Sequence, residues 1–167
     1  MTNKKIVAVS GGFDPIHIGH LRLIQEAAAL GDELIVIVNN DNWLRKKKGS
    51  VFMPQEERKE LIEGMKGVTQ VVLTDHVIDD EDRSVCNALR TIRPHIFANG
   101  GDRFSDNTLE AIMCRDLGIE TVFNIGREGK VQSSSWLTAA DRETRDCFCN
   151  SGKGYLDCHG TGLKKGE

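Results

Sequence analysis

Residues 6–20 read Ile6-Val7-Ala8-Val9-Ser10-Gly11-Gly12-Phe13-Asp14-Pro15-Ile16-His17-Ile18-Gly19-His20, and this stretch decides the fold of the 167-residue chain. A short apolar run leads into a glycine turn and then into an amphipathic segment, which predicts a strand, a turn and a helix. The start of a helix attracts phosphate, because its first N–H groups are unpaired and carry a partial positive charge. His17 and His20 are three residues apart on one face of this helix start, and Gly19 between them lets a ligand approach the backbone. The stretch therefore predicts a site for a polyphosphate.

The composition fits a small soluble enzyme with one compact main domain. The formal net charge of −3 argues against binding of nucleic acid in bulk. No apolar stretch approaches the roughly 20 residues that a membrane-spanning helix needs, and residues 1–5 lead into a strand without the pattern of a secretory signal. We therefore expect a cytoplasmic protein whose five cysteines are free or metal-bound. The sequence leaves open whether the chain forms a homodimer.

Apolar runs alternate with helical patterns along the chain, as in proteins that fold around a parallel sheet. We predict short strands at Ile6–Val9, Leu34–Val38, Val71–Leu73, Ile96–Ala98 and Thr121–Phe123. We predict helices at Ile18–Leu30, Pro54–Gly64, Ser84–Arg93 and Thr108–Leu117, and the start of a further helix at Ser133–Ser135. The alternation indicates an α/β fold, with a Rossmann-like, doubly wound parallel sheet of about five strands that binds its ligand at the carboxyl ends of the strands.

Polar residues follow several of the predicted strands, where such a sheet binds its ligand. The first strand leads into the histidine stretch, and the second leads into Asn39-Asn40-Asp41 and a basic loop at Arg45–Gly49. The fourth strand ends in Asn99-Gly100-Gly101-Asp102, and the fifth ends in Asn124-Ile125-Gly126-Arg127. After a short loop the next helix begins with Ser133-Ser134-Ser135. Cations and backbone donors are thus expected to meet at one edge, as a triphosphate and its metal require.

On these segments the chain resembles the HxGH nucleotidyltransferase superfamily, on the cytidylyltransferase-like side that contains glycerol-3-phosphate cytidylyltransferases and heptose-phosphate adenylyltransferases. The resemblance covers about residues 4–140 and has four matches in the same order. They are Gly12–His20, then Val38–Asp41 with Leu44–Gly49 and Glu57-Arg58, then Arg93–Ile96 leading to Gly100–Asp102, and last Ser133–Ser135. The serine run before Trp136-Leu137 is also similar to the coenzyme A and nicotinamide branches, so the nucleotide, CTP or ATP, stays open.

The resemblance implies transfer of a nucleoside monophosphate from an NTP to a phosphorylated small molecule, with Mg²⁺ and with release of pyrophosphate. The acceptor already carries its nucleophilic oxygen, so catalysis consists of orienting the attack and stabilising charge, without a general base. The residues that the resemblance makes catalytic are His17, His20, Lys48 and Arg127. The resemblance implies a second set of residues that bind the nucleotide, namely Gly11, Gly12, Phe13, Asp14, Gly19, Gly101, Asp102, Ser133, Ser134 and Ser135.

Within this set the expected roles differ. The two histidines donate hydrogen bonds to the phosphates, and Arg127 and Ser134 hold the β- and γ-phosphates. Asp14 and Asp102 are candidates for contacts to the metal or the ribose. Lys48 reaches the phosphates or the acceptor, with Lys46 as an alternative that the sequence cannot separate from it. The expected contacts to the acceptor are Lys46, Arg58 and Asn39. The residues expected to have no catalytic role are His76, His95, Trp43, Cys86 and Cys114.

The C-terminal segment carries a second signal, in which Cys147, Cys149, Cys158 and His159 follow the spacing C-x-C-x8-C-H. Three thiolates and an imidazole are a tetrahedral ligand set for structural Zn²⁺, which would fold a segment too short for a core of its own. The segment resembles the SEC-C zinc motif, and we expect it to dock a protein partner. The expected organisation is a nucleotidyltransferase domain at residues 1–142, the zinc motif at 143–161 and a tail at 162–167.

The leading interpretation is a nucleotidyltransferase that acts on a polyol-, sugar- or phosphonate-type acceptor. A second interpretation keeps the site and changes the acceptor to a cofactor precursor, such as a flavin, nicotinamide or pantetheine phosphate. A third is a nucleotide-sensing adaptor that binds through the histidines and signals through the zinc segment. The combination of the two histidines, Lys48 and Arg127 favours an enzyme, since binding alone would not require all of them.

Overall fold

The computed structural model describes residues 4–100, 108–126, 133–138 and 153. The strands are β1 Ile6–Gly11, β2 Glu33–Val38, β3 Gln70–Leu73, β4 Ile96–Gly100 and β5 Glu120–Ile125. The helices are α1 Ile18–Ala28, α2 Asp41–Lys48, α3 Gln55–Glu63, α4 Cys86–Ile92, α5 Leu109–Leu117 and α6 Ser134–Leu137. The chain divides into two compact units, Met1–Gln132 and Ser133–Glu167, and α6 belongs to the second. Within the described ranges, no helix is long and apolar enough to span a membrane.

The described strands form one sheet in the order β3-β2-β1-β4-β5, and every neighbouring pair is parallel. β1 lies in the centre and pairs with β2 in unbroken register, from Ile6 opposite Glu33 to Gly11 opposite Val38. Parallel neighbours need crossover connections, which the intervening helices supply. The predicted α/β fold with a doubly wound sheet is therefore confirmed for the first unit. The strand order reverses beside β1, and in such sheets the ligand crevice lies at the carboxyl ends of the strands at that reversal.

Alternate residues of the central strand pack against opposite faces of the sheet, as the period of a strand requires. Val7 and Val9 join an apolar cluster that includes Ile24 of α1 and Ile62 of α3. Ala8 joins the cluster on the other face, together with side chains of α4 and α5. The carboxyl end of β1, from which the histidine stretch leaves, is thus fixed between two helical layers.

Helix α2 corrects one sequence prediction, because the segment Arg45–Gly49 was expected to be a loop and most of it is helical. Asn40 caps the helix: its side chain accepts a hydrogen bond from the N–H of Trp43 at 3.0 Å. Gly49 ends it in the left-handed conformation, with φ 78°, and its N–H binds the carbonyl of Arg45. Buried Trp43 and Leu44 anchor the helix to the protein. The run of cations occupies its last turn, where positive charge is favoured by the helix dipole.

Arg58 joins the ends of two strands to α2, and this corrects its predicted role as a contact to the acceptor. Its side chain is fully buried. Its Nε donates to the carbonyl of Met53 at 2.9 Å, its Nη1 to the carbonyls of Gly12 and Asn39, each at 2.7 Å, and its Nη2 to the carboxylate of Asp41 at 2.6 Å. Four of the five N–H donors of the guanidinium are therefore bound inside the protein, and no face is exposed to a substrate phosphate.

We expect Arg58→Ala to lower the free energy of unfolding by about 3–5 kcal/mol, because it leaves the Asp41 carboxylate and three carbonyl oxygens without their donor. Arg58→Lys should recover little, since an ammonium does not reproduce the planar fork. Urea unfolding followed by circular dichroism measures the loss.

Lys59→Ala is the matched control on the same helix. The Lys59–Glu63 ion pair is partly exposed and 3.9 Å long, so its loss should cost less than about 0.5 kcal/mol. A loss below about 1 kcal/mol for Arg58→Ala would contradict the role given to Arg58.

Candidate active site

His17 and His20 form a reciprocal cap at the start of α1. His17 is the N-cap residue, and its Nδ1 accepts a hydrogen bond from the N–H of Gly19 at 3.1 Å. The Nδ1 of His20 accepts in turn from the N–H of His17 at 3.3 Å, the pattern of a capping box. A ring nitrogen that accepts a hydrogen bond carries no proton, so each neutral imidazole is protonated at Nε2. Both rings therefore use one nitrogen for the fold and keep the other as an N–H donor.

The two imidazoles are stacked, and both are held neutral at pH 7. Their ring centroids are 3.7 Å apart with an interplanar angle of 23°, and Phe13 packs edge-on against His20 with 4.9 Å between centroids. Burial lowers the pKa of His20 from 6.5 to about 3, and positive charge on His17 and on Lys48 acts in the same direction. Burial, followed by the charge of Lys48, also lowers the pKa of His17. The pair therefore offers neutral N–H donors rather than cations.

Asp14 fixes the turn between β1 and α1. This structural role corrects the prediction that its carboxylate contacts the metal or the ribose. Asp14 is 4% exposed. Its two carboxylate oxygens accept hydrogen bonds from the N–H groups of Phe52 at 2.9 Å and Met53 at 2.6 Å. Both oxygens are thus occupied by the backbone that follows α2. The residue is buried and holds the turn.

The remaining predicted residues of this turn serve its packing. Phe13 is buried and adopts a positive φ of 51°. A Cβ at Gly11 would lie 3.1 Å from the Phe13 ring, and a Cβ at Gly12 would lie 3.1 Å from Leu44, so both glycines allow the turn to pack closely. The N–H of Gly19 is bound within the cap. The contacts of Gly11, Gly12, Phe13 and Gly19 with a nucleotide stay predictions.

The structure separates the two lysines that the sequence could not separate. The Nζ of Lys48 donates to the carbonyl of Asp14 at 2.9 Å, and its charge acts on both histidines. The Nζ of Lys46 lies 3.8 Å from the carboxylate of Asp79 and 3.6 Å from that of Glu81. The cation that α2 brings to the histidines is therefore Lys48, whereas Lys46 contacts the loop after β3.

Asn39 follows the last residue of β2 and extends its pairing with β1. Its N–H donates to the carbonyl of Gly11 at 2.9 Å, and its own carbonyl accepts from Arg58. The side chain is buried, and its Oδ1 has no hydrogen-bond partner within the part of the chain that the structure describes. Buried acceptors without a partner are rare in folded proteins. The predicted contact of Asn39 with the acceptor stays a prediction.

Several predicted residues cannot be placed beside the histidines. Ser133, Ser134 and Ser135 lie in the second unit, where the Oγ atoms of Ser133 and Ser135 are 2.6 Å apart at the start of α6. Those outside the described residues are Gly101, Asp102, Arg127, Cys147, Cys149, Cys158 and His159. The Zn²⁺ set of the C-terminal segment therefore stays a prediction. Among the residues that are described, no group of three or more His, Cys, Asp or Glu side chains is arranged to hold a metal ion.

The sequence analysis missed the structural roles of two residues near the site. Asn40 and Asp41 were taken as the polar end of a strand, whereas Asn40 caps α2 and Asp41 pairs with Arg58 at 2.6 Å. A signal for the cap was present, because Asn followed by an acidic residue and an apolar pair is typical of a helix start. No local signal identified the partner of Asp41, since Arg58 is 17 residues away along the chain.

Comparison of the chain with known proteins identifies its family. Residues 8–137 match the family model described as Cytidylyltransferase-like. Bifunctional protein HldE of Methylococcus capsulatus is 37% identical over 120 residues, which are 71% of this chain but 24% of that protein. FAD synthase of Pyrococcus abyssi is 33% identical over 142 residues, which are 84% of this chain and 87% of that protein.

A solved structure supports the same assignment. The lipopolysaccharide core biosynthesis protein of Thermoplasma volcanium superimposes with a TM-score of 0.63 at 27% identity, covering 75% of this chain and 99% of that one. The family match covers more than half of the chain, from within β1 to the end of α6. The chain belongs to the cytidylyltransferase-like family of nucleotidyltransferases.

Proposed function

We propose that this chain transfers a nucleoside monophosphate from ATP or CTP to a phosphorylated small molecule and releases pyrophosphate. The observation that carries the proposal is the reciprocal cap of His17 and His20, which leaves two neutral Nε2–H groups as donors. Lys48 adds a cation beside them. Such a set suits charge that develops on phosphate oxygens, and it lacks the nucleophile and base that other transfer reactions need.

The proposed reaction is an in-line displacement at the α-phosphate. An oxygen of the acceptor's phosphate forms the new bond to the α-phosphorus, the bond from that phosphorus to the bridging oxygen breaks, and pyrophosphate leaves with the electron pair. The two imidazole N–H groups and the ammonium of Lys48 stabilise the charge on the α-phosphate and on the departing pyrophosphate. The nucleophile is already anionic at neutral pH, so no side chain has to remove a proton.

The resemblance implies Mg²⁺ for this reaction, and the carboxylates of Asp14 and Asp41 already accept hydrogen bonds within the fold. Both oxygens of Asp14 accept backbone N–H groups, and Asp41 is paired with Arg58. The other predicted ligand, Asp102, lies outside the described residues. We propose that Mg²⁺ enters with the phosphates of the NTP, which commonly supply most of its protein-site ligands together with water.

Two classes of acceptor are proposed, and the relatives support both. The match to HldE supports a sugar or polyol phosphate, as the leading interpretation has it. The match to FAD synthase supports FMN, because FAD is FMN joined to AMP. The alignment covers 87% of the Pyrococcus abyssi FAD synthase and 24% of the bifunctional Methylococcus capsulatus HldE, and both acceptor classes are therefore included in the test. A protein partner for the C-terminal segment is also proposed, on the sequence alone.

The function is tested by pyrophosphate release with each of the four NTPs against a panel of acceptors. The panel contains glycerol 3-phosphate, ribitol 5-phosphate, a heptose 1-phosphate, FMN, nicotinamide mononucleotide and 4′-phosphopantetheine. We expect release with at least one pair, and its identity assigns the acceptor class. Nucleotide binding without release for any pair would favour the sensing adaptor.

The variant His17→Asn separates the chemical role of His17 from its capping role. Asn keeps an acceptor for the N–H of Gly19 and is a favoured N-cap residue, but it lacks the Nε2–H donor. We expect kcat to fall by about 10²–10³-fold, with the free energy of unfolding within about 1 kcal/mol of the unmodified protein. His17→Ala is the comparison that loses both the cap and the donor. A kcat for His17→Asn within threefold of the unmodified value would overturn the central assignment.

Lys48 and Lys46 are a matched pair on one helix. Lys48→Met should lower kcat at least tenfold, because it removes the cation beside the histidines, while Lys46→Met should change kcat less than threefold. Lys48→Met should also raise the pKa of His17, which NMR titration measures, because the charge of Lys48 lowers that pKa. Equal losses of kcat in the two variants would contradict the assignment.

Folding stability should fall as the pH drops from 6.5 to 3. The pKa of His20 is about 3 in the folded protein against 6.5 for an ordinary histidine, so in this interval the unfolded chain takes up a proton that the folded chain does not. The expected loss at pH 4.5 is about 2–3 kcal/mol relative to pH 7. Urea unfolding at several pH values measures it. His20→Gln keeps the acceptor of the capping box and should flatten this part of the profile; an unchanged profile would contradict the prediction.

A further inference from the structure

The segment that follows β3 is bound to the start of α2. The Nδ2 atoms of Asn40 and Asn42 donate to the carbonyl of His76 at 2.8 and 3.0 Å. The Nε1 of Trp43 donates to the carbonyl of Arg83 at 2.9 Å. Three hydrogen bonds thus connect the first residues of α2 with residues 74–84, which we call the β3–α4 loop.

The imidazole of His76 lies inside this loop and spans it. The ring is buried, with its Nδ1 2.8 Å from the Oγ1 of Thr74 and its Nε2 3.1 Å from the carbonyl of Ser84. A carbonyl only accepts, so Nε2 is the donor to Ser84, and in the neutral ring Nδ1 then accepts from the hydroxyl of Thr74. That hydroxyl oxygen in turn accepts from the N–H of Asn40 at 3.0 Å. The result is one directed chain of hydrogen bonds from Asn40 through Thr74 and His76 to Ser84.

This chain of hydrogen bonds begins at the residue that caps α2. Asn40 is the N-cap of α2, and its Oδ1 holds the N–H of Trp43. The last residue of the helix is Lys48, whose Nζ contacts the carbonyl of Asp14. A helix of two turns is a short rigid element, so the orientation of its first residue determines where its last residue lies. A contact that fixes Asn40 therefore helps to place Lys48, together with the buried Trp43 and Leu44 and the Asp41–Arg58 pair.

We infer that His76 is a positioning residue for Lys48, which it orients through Thr74, Asn40 and α2. The inference rests on the proposed function, in which Lys48 contacts the reacting phosphates. The sequence analysis gave His76 no catalytic role, and its buried ring contacts Thr74 and Ser84. Its contribution is carried by the acceptor at Nδ1, because a Thr74 hydroxyl that donates to this atom turns a lone pair of its oxygen toward the N–H of Asn40.

Two variants of His76 each keep one of the two hydrogen bonds of its ring and lose the other. In His76→Asn the amide oxygen takes the place of Nδ1, which preserves the acceptor for Thr74 and loses the bond to Ser84. In His76→Gln the amide nitrogen takes the place of Nε2, which preserves the bond to Ser84 and loses the acceptor for Thr74. We expect kcat at least tenfold lower for His76→Gln and within threefold of the unmodified value for His76→Asn. Thr74→Val should resemble His76→Gln, and Ile78→Thr, at a loop position that is 80% exposed, should leave kcat unchanged.

A ring that only supports the loop would give a different result. Both His76 variants would then lose kcat in parallel with their loss of thermal stability, and equal kcat values for the two would overturn the inference. A positioning role instead predicts that activity is retained only in the variant that keeps an acceptor for the Thr74 hydroxyl, which is His76→Asn.

Hydrogen exchange supplies a readout that does not depend on turnover. We expect the amides of residues 44–48 to exchange at least tenfold faster in His76→Gln than in His76→Asn or the unmodified protein, because the cap of α2 is loosened. Equal exchange in the two variants would overturn the inference even if the protein is active. Absence of pyrophosphate release from the unmodified protein would instead count against the proposed function, while the exchange comparison would still decide the role of His76.

Discussion

The buried guanidinium of Arg58 is the contact on which the rest of the site depends. A buried positive charge is tolerated only when its donors are satisfied, and four of them are bound by three carbonyls and the carboxylate of Asp41. Two of those carbonyls, from Gly12 and Asn39, stand just beyond the ends of β1 and β2. The charge therefore holds the histidine turn, the neighbouring strand end and α2 in one arrangement. None of these partners can move away without leaving the guanidinium partly unpaired.

The site uses few groups because its histidines serve the fold and the proposed chemistry at once. In each ring Nδ1 accepts a backbone N–H and completes the helix cap, which leaves Nε2–H pointing away from the backbone it caps. Burial and the charge of Lys48 lower the pKa of both rings, so the donors stay neutral. A fixed, neutral donor costs little reorganisation when charge develops on a phosphate oxygen.

The alternating pattern of the sequence predicted the strands and most of the helices of the first unit, because buried parallel strands and amphipathic helices leave strong apolar periods. It failed at α2, where a short helix has two apolar anchors and a last turn of four cations, which resembles a solvated loop. It also failed at Arg58 and Asp14. A charged residue on a helix and an acid in a glycine turn suggest solvent or ligand contacts, and only long-range packing buries both.

The sequence by itself determined the β–α alternation, the helix start with its paired histidines and the resemblance to nucleotidyltransferases. The first two depend on neighbours within a few residues, which is the range over which strand period, helix period and capping act, and the third rests on four short segments in a fixed order. The tertiary structure alone decided which lysine meets the histidines, which charges are buried and which nitrogen of each imidazole keeps its proton. Those outcomes depend on the phase of α2 and on contacts between residues such as Gly12 and Arg58, which are 46 positions apart. Only the packed sheet brings such residues together.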